Sequence, residues 1–179
     1  VTTERILSTP ETFGSFKVYI RLKDKMLPHD PVTHYLPQYQ LLVLTPPACE
    51  NPQYAQTIEC IMPLDYSLLD SWKSNRHADY KSYETFKKCK AQDVIQIINA
   101  IYPNINDCIA DYFTSTSLSF RDIYHSPQGA MYGLSSPIGG VTTKVENLFL
   151  TGQNCFMHGF YGTLCTAIET VNAIENKYE

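Results

Sequence analysis

Apolar and polar residues alternate most clearly near the start of the chain. Phe16, Val18, Ile20 and Leu22 fall at every second position, with Lys17, Tyr19, Arg21 and Lys23 between them. A period of two puts the two sets on opposite faces of a half-buried β-strand. The cations on its polar face suit water, and equally a substrate carboxylate. Two further runs, 40–45 (QLLVLT, closed by Pro46 and Pro47) and 57–62 (TIECIM, closed by Pro63), read as strands that pair antiparallel across the polar stretch between them. The period then changes. Tyr83, Phe86, Val94, Ile97, Ile98 and Ile101 share one side of a helix that Asp79 caps and Pro103 ends, with Lys81, Lys87, Lys88 and Lys90 elsewhere on its surface. This basic amphipathic pattern suits a core helix with a solvated face, and also a helix in peripheral contact with a membrane. Residues 105–113 predict a strand or short helix and residues 117–124 a helical turn. The proline-rich stretch 26–38 predicts a connecting loop.

Toward the C-terminus, Leu148, Phe149 and Leu150 make a short apolar run ended by Gly152, which predicts a buried strand. Leu164, Ile168, Val171 and Ile174 then recur at steps of three and four, predicting a final helix with one apolar face packed on that strand. Gly159 and Gly162 bracket its first turn, where amides without intrahelical partners and the helix dipole suit a phosphate or an electron-rich ring edge. Gly129 and Gly133 flank Ala130, Met131 and Tyr132, and small residues at both ends let backbone approach a flat ring. On spacing alone, both stretches read as well as plain glycine-bounded turns around a strand–loop–helix closing unit.

The segment 143–154 (TKVENLFLTGQN), with Gly159, Gly162 and the helix after them, resembles the C-terminal flavin-binding segment of the phytoene desaturase, carotenoid isomerase and retinol saturase family. The block 114–124 (TSTSLSFRDIY) followed by 126–133 (SPQGAMYG) is similar to the segment of that family that leads into the flavin site, in the same order along the chain. Weaker similarity runs back through 83–87 and 42–47. The resemblance implies FAD as cofactor and a polyene or isoprenoid substrate whose C=C bonds are desaturated, saturated or isomerised by hydride transfer. It assigns Gly129, Tyr132, Gly152, Gln153, Gly159, Gly162 and Thr163 to cofactor binding, with Gly152 and Gln153 at the ribityl or pyrophosphate portion and Gly162 and Thr163 at the pyrimidine edge. His158 and Tyr161 are the titratable side chains of the loop that are candidates for moving a proton near the flavin; packing within the loop is the competing role for each. Many flavoproteins of the wider two-domain class carry an acidic residue where this chain has Gln153, an amide that still donates and accepts hydrogen bonds.

No G-x-G-x-x-G spacing occurs in the sequence, although members of the resembled family open on a βαβ unit that carries one. The expected architecture is therefore α+β: a mixed, largely antiparallel sheet with packed helices, plus the C-terminal strand–loop–helix of a two-domain, Rossmann-like FAD-binding fold whose N-terminal βαβ unit is absent. Residues 1–135 are expected to be part of the substrate-binding domain and 136–179 the C-terminal segment of the FAD-binding domain. The partners expected are the apolar substrate and the missing N-terminal FAD-binding portion.

Composition trims the alternatives. With 179 residues and 44% hydrophobic content the chain can bury one real core. A net charge of −4 without a basic cluster argues against nucleic acid. There is no apolar run of membrane-spanning length and no N-terminal signal pattern, so the expectation is a cytoplasmic protein, with peripheral membrane contact left open. The six cysteines lack metal or disulfide spacing, which predicts reduced thiols, with Cys155 as a small apolar filler. His29 and His34 stand five apart without a cysteine or carboxylate beside them in a ligand pattern, and no metal site is predicted. Two other readings stay open: a non-catalytic module that binds an apolar ligand in its sheet, and a structural fragment that completes its fold with a partner polypeptide.

Overall fold

The structure, a computed structural model, describes residues 3–74 and 79–178. The chain divides into two compact units. One is Gly14–Ser119; the other joins residues up to Phe13, which open with the short helix α1 (Thr3–Ser8), to the stretch from Phe120 onward.

The Gly14–Ser119 unit is an antiparallel sheet with a helix against one face. Its strands are β1 (Gly14–Leu22), β2 (His34–Leu36), β3 (Leu41–Leu44), β4 (Thr57–Leu64) and β5 (Ile109–Ser115), in the order β2-β3-β4-β1-β5 with every neighbouring pair antiparallel. The alternation read from β1 holds. Phe16, Val18, Ile20 and Leu22 are buried; Val18 and Ile20 face the buried Cys60 and Ile58 of β4 in register, and Cys60 faces the buried Val43 of β3 on its other side. Over this face lies α2 (Tyr80–Ile98), which contributes Tyr83, Ala91, Val94, Ile95 and Ile98 to the core, with Phe86 and Ile97 partly buried against it. Asp79 caps α2 as expected, accepting from the Ser82 amide at 3.2 Å. Each large aliphatic side chain so buried contributes on the order of 2 kcal/mol. Burial pushes the Cys60 thiol up to about 12, so it behaves as an inert apolar filler.

Some elements differ from expectation. Pro63 lies inside β4 rather than ending it. It pairs with Ser15 of β1, and the β3 ladder has already ended near Ile61, so its missing N–H costs no bond on that side. Within the proline-rich stretch a short strand, β2, forms because the turn at Pro37–Tyr39 folds Leu36 back against Leu41. His34 of β2 donates to Asp30 at 2.6 Å, and Tyr102 reaches the same carboxylate at 3.2 Å. The His34 bond, with the Val32 amide, holds Asp30 below the usual carboxylate range. His34 is thus an anchor for its loop. Residues 105–113 hold both of the elements expected as alternatives, the helix α3 (Ile105–Cys108) and then β5.

Helix α4 (Ser117–Tyr124) begins in the first unit and ends in the second, two turns rather than one. The second unit continues through a turn at Pro127–Gly129 and an irregular stretch to the long helix α5 (Gly159–Tyr178). Two expectations fail here. The strand expected at 147–150 is reduced to a single bridge, Thr142 to Phe149, with Leu150 donating to the Val141 carbonyl at 2.7 Å. Thr143 Oγ1 ties Val145 and Leu148 into a tight turn, and Asn147 sits at φ 60, so the backbone curls instead of extending. The helix forms where expected but turns its other face inward. Gly162 and Thr166 are buried and Thr170 is half-buried, 2.9 Å from the Leu150 carbonyl, whereas Leu164, Ile168 and Val171 are about half exposed at 49%, 55% and 52%. No described helix is long and apolar enough to cross a membrane.

Candidate functional site

In the second unit the sequence block 126–135 acquires a partner that its own residues do not announce. Residues 10–13 run antiparallel beside 131–135. Thr12 N donates to Gly133 O at 2.7 Å, Met131 N to Phe13 O at 3.0 Å and Ser135 N to Pro10 O at 2.8 Å, with Tyr132 N on Thr12 Oγ1 at 3.1 Å. On its other side the same block is fastened to the loop before α5. The side chain of Asn154 accepts from Leu134 N at 3.0 Å, while its carbonyl takes Ile138 N at 2.7 Å and the Cys155 carbonyl takes Gly139 N at 2.7 Å. Gly133 is required at this junction. Its φ is +71, and a Cβ there would overlap the Asn154 amide.

His158 joins the same knot. Its Nε2 donates to the Leu134 carbonyl at 2.8 Å, and its ring lies 6.1 Å from that of Tyr132 at an interplanar angle of 27°. A carbonyl only accepts, so Nε2 carries the proton and Nδ1 is left as an acceptor in the neutral ring. Phe13 meets Tyr132 edge-on at 6.0 Å. Cys155 is buried, and that burial pushes its thiol up from the ordinary value, as suits the filler role expected of it.

Beside this knot, within the same unit, lies a cavity of about 970 Å³. Its apolar wall includes Ile6, Leu7, Phe120, Met131, Leu134 and Ile138; polar groups reach it from Glu11, His125, Gln128, Gln153 and Asn154. Glu11 is set in this wall by its bridge to Leu134. Burial raises its carboxyl above the ordinary value, and its Oε2 is buried without a hydrogen-bond partner among the described residues.

The residues singled out from the sequence fall into three groups. Gln153 lines the cavity, and Gly129 is buried between Gln128 and Ala130, which line it; Tyr132 and His158 stack in the knot alongside. Gly152 and Gly159 have φ of +101 and +79, and nothing lies within 4 Å of where a Cβ would sit on either. The third group has other employment. A Cβ on Gly162 would overlap the Met157 carbonyl, Thr163 Oγ1 donates to the Gly159 carbonyl at 2.9 Å, and Tyr161 is 71% exposed. Reading the sequence missed Glu11, a lone carboxylate between Pro10 and Thr12 with no spacing to mark it. Among the described residues no group of three or more His, Cys, Asp or Glu is gathered for a metal ion.

No family model matches the chain. It is 27% identical over 135 residues to the all-trans-retinol 13,14-reductase of Danio rerio, a match covering 68% of this chain and 22% of that protein. To the proteins of the same name from Homo sapiens and Macaca fascicularis it is 23% identical over 168 residues, covering 83% of this chain and 27% of each. The chain is thus a distant relative of proteins named as retinol reductases and spans about a quarter of their length.

Proposed function

We propose that this chain is the C-terminal part of a flavin-dependent oxidoreductase that adds or removes hydrogen across a C=C bond of a polyene or isoprenoid substrate. The observation that carries the reading is that the two segments resembling flavin-binding blocks, 126–133 and 143–154 with the loop after it, meet in one unit through Asn154, His158 and Leu134. The relatives named as reductases of all-trans-retinol support the reaction class and the substrate class.

The residues fit the cofactor in part. Gly152 and Gly159 leave backbone open to a flat or phosphorylated ligand, since a positive φ with empty space at the Cβ position is what such an approach requires. Gln153 offers an amide that both donates and accepts toward a hydroxyl or phosphate oxygen. Gly162 fits less well, because contact with Met157 explains it already. FAD, when bound, would supply the hydride donor or acceptor. The chain's own residues then orient the substrate and exclude water through the apolar wall around Leu134 and Ile138. His158 acts as a positioning residue: its Nε2 proton is held by Leu134, which fixes the ring against Tyr132.

The test uses the full-length protein. It is expected to purify with flavin absorbance, and under anaerobic conditions its reduced flavin should be reoxidised by a retinoid or another isoprenoid polyene. Absence of flavin, or a response to amines with none to polyenes, would overturn the reading. The half-exposed apolar side of α5 keeps the partner-polypeptide alternative in view; a colourless protein whose folding depends on concentration would favour that reading instead.

A further inference from the structure

We infer that β5 is a docking edge for a separate polypeptide: it takes an extended, acidic segment as an added strand, with one large apolar side chain of that segment seated beside α2. A strand at the end of a sheet pairs only half of its backbone N–H and C=O groups with its neighbour, and the other half point outward. Among the described residues, β5 has β1 as its one strand neighbour. The two edges of the sheet are built differently. β2 is three residues long and stands between Pro31 and Pro37, which keeps further pairing from spreading along it. β5 is seven residues long and contains neither a proline nor a lysine, and its register irregularity lies at the Arg21/Leu22 end, leaving 111–115 in regular pairing with β1. Its one charged side chain, Asp111, is held by Arg21 at 2.7 Å. This edge therefore lacks the devices that turn an incoming strand away.

The surroundings of β5 state what kind of strand fits. Phe113 stacks on Tyr19 with ring centroids 4.6 Å apart, yet remains 65% exposed. Beside it, within the same unit, a groove of about 300 Å³ runs between Tyr80, Lys87 and Lys88 of α2 and Tyr112 and Phe113 of β5. Three of these five residues are aromatic, which suits a large apolar side chain, and such a pocket beside the added strand is what gives strand addition its specificity. Glu84 also lines the groove but is paired with Lys87. Lys88 and, two helical turns before it, Lys81 are exposed on the same side of the helix. The charge left beside the edge is positive, so acidic residues flanking the apolar one are its complement. A second copy of β5 fits worse, because a two-fold pairing of edges brings the two lysine-bearing helix faces together.

The inference goes beyond the flavin reading and does not use it. The test titrates the 179-residue chain with two fluorescein-labelled synthetic peptides, Thr-Glu-Thr-Phe-Thr-Glu-Thr and the same sequence with lysine in place of glutamate. As strands, both put the phenylalanine and the charges on one face. The acidic peptide should bind roughly tenfold tighter, with the preference shrinking as salt is added. Lys81→Glu combined with Lys88→Glu should reverse the order; both positions are exposed, so the fold tolerates the change. Hydrogen exchange followed by NMR supplies a second readout: the acidic peptide should slow alternate amides of 110–115 by roughly tenfold or more and leave those of α5 unchanged. Binding of neither peptide, equal binding of both, or binding without protection of β5 overturns the inference. So does displacement of the peptide by phosphatidylserine vesicles, which makes the surface a membrane contact, or a dimer on a sizing column that the peptide dissociates, which makes it a self-pairing edge. The full-length protein is the last arm. Its β5 amides should exchange as fast as those of the 179-residue chain until the acidic peptide is added; protection without peptide means that the protein's own chain closes the edge, and overturns the inference as well.

Discussion

Gly162 shows how a residue can be found for one reason and kept for another. Its place at the start of a helix suggests a ligand approaching the backbone, and Gly162→Asp then looks like a clean way to expel a flavin. The structure gives the residue a different task, since any Cβ there would overlap the Met157 carbonyl, which is backbone and cannot swing aside. Two effects compete in Gly162→Ala. Alanine favours the helix by about 1 kcal/mol, while overpacking against fixed backbone costs about 1–3 kcal/mol. The second wins, and the variant is expected to unfold at lower denaturant with an unchanged slope. Gly140 is the control: nothing lies within 4 Å of its Cβ position, and Gly140→Ala should change stability by less than about 0.5 kcal/mol. Equal midpoints for the two variants would show that the Met157 contact is not real. Gly152 and Gly159, by contrast, have open Cβ positions, which is what the proposed approach of a ligand to backbone requires. Sequence spacing cannot tell these glycines apart, because the distinction lies in what stands opposite each Cβ.

At the scale of the element, β1 and α5 carry equally clear apolar periods, yet only β1 buries its apolar set. Beside β1, β4 sets Met62, Cys60 and Ile58 in register with Phe16, Val18 and Ile20, and α2 adds its own apolar residues to the same core. In α5 the inward face is made of Gly162, Thr166 and Thr170, residues small enough to let the helix lie close against the 148–150 segment. Three threonines of the helix, two of them on this face, bond back one turn, Thr163 to Gly159, Thr166 to Gly162 and Thr170 to Thr166, so their hydroxyls are satisfied within the helix. Periodicity thus located the helix and mistook its orientation, since it reports which face is apolar and not which face is covered. An apolar helix face left half in water invites association. Leu164→Gln combined with Ile168→Gln should therefore leave the thermal midpoint of the chain within a few degrees while reducing self-association on a sizing column. A fall of ten degrees or more would mean that the face is packed after all.

For the whole molecule, β1, β3, β4 and α2 of Gly14–Ser119 were legible because each is announced by its own local period, capping residue or proline, whereas β2 forms inside a proline-rich stretch that carries no strand period. The second unit was legible only in pieces. Its defining pairing joins residues 10–13 to 131–135, as in the bond from Tyr132 N to Thr12 Oγ1 across 120 positions, and no local pattern encodes a partner that far away. The same non-local origin hid Glu11. That organisation bears on what the chain can hold by itself. A dinucleotide cofactor is gripped at both ends, and the adenosine end ordinarily relies on a glycine-rich βα turn with a downstream acidic residue; the sequence has no G-x-G-x-x-G. What this chain offers FAD is open backbone at Gly152 and Gly159 and the Gln153 amide, contacts worth about 1 kcal/mol each. Association costs several kcal/mol before any such contact counts. The dissociation constant of the 179-residue chain for FAD should then be no better than roughly millimolar, and the chain should show no turnover with retinoids. Fluorescence quenching of FAD, with a sizing column run in parallel, measures this directly. Micromolar binding by a clean monomer would show that these residues form a complete flavin site and would overturn the expectation that the cofactor needs a second, glycine-rich unit to hold it.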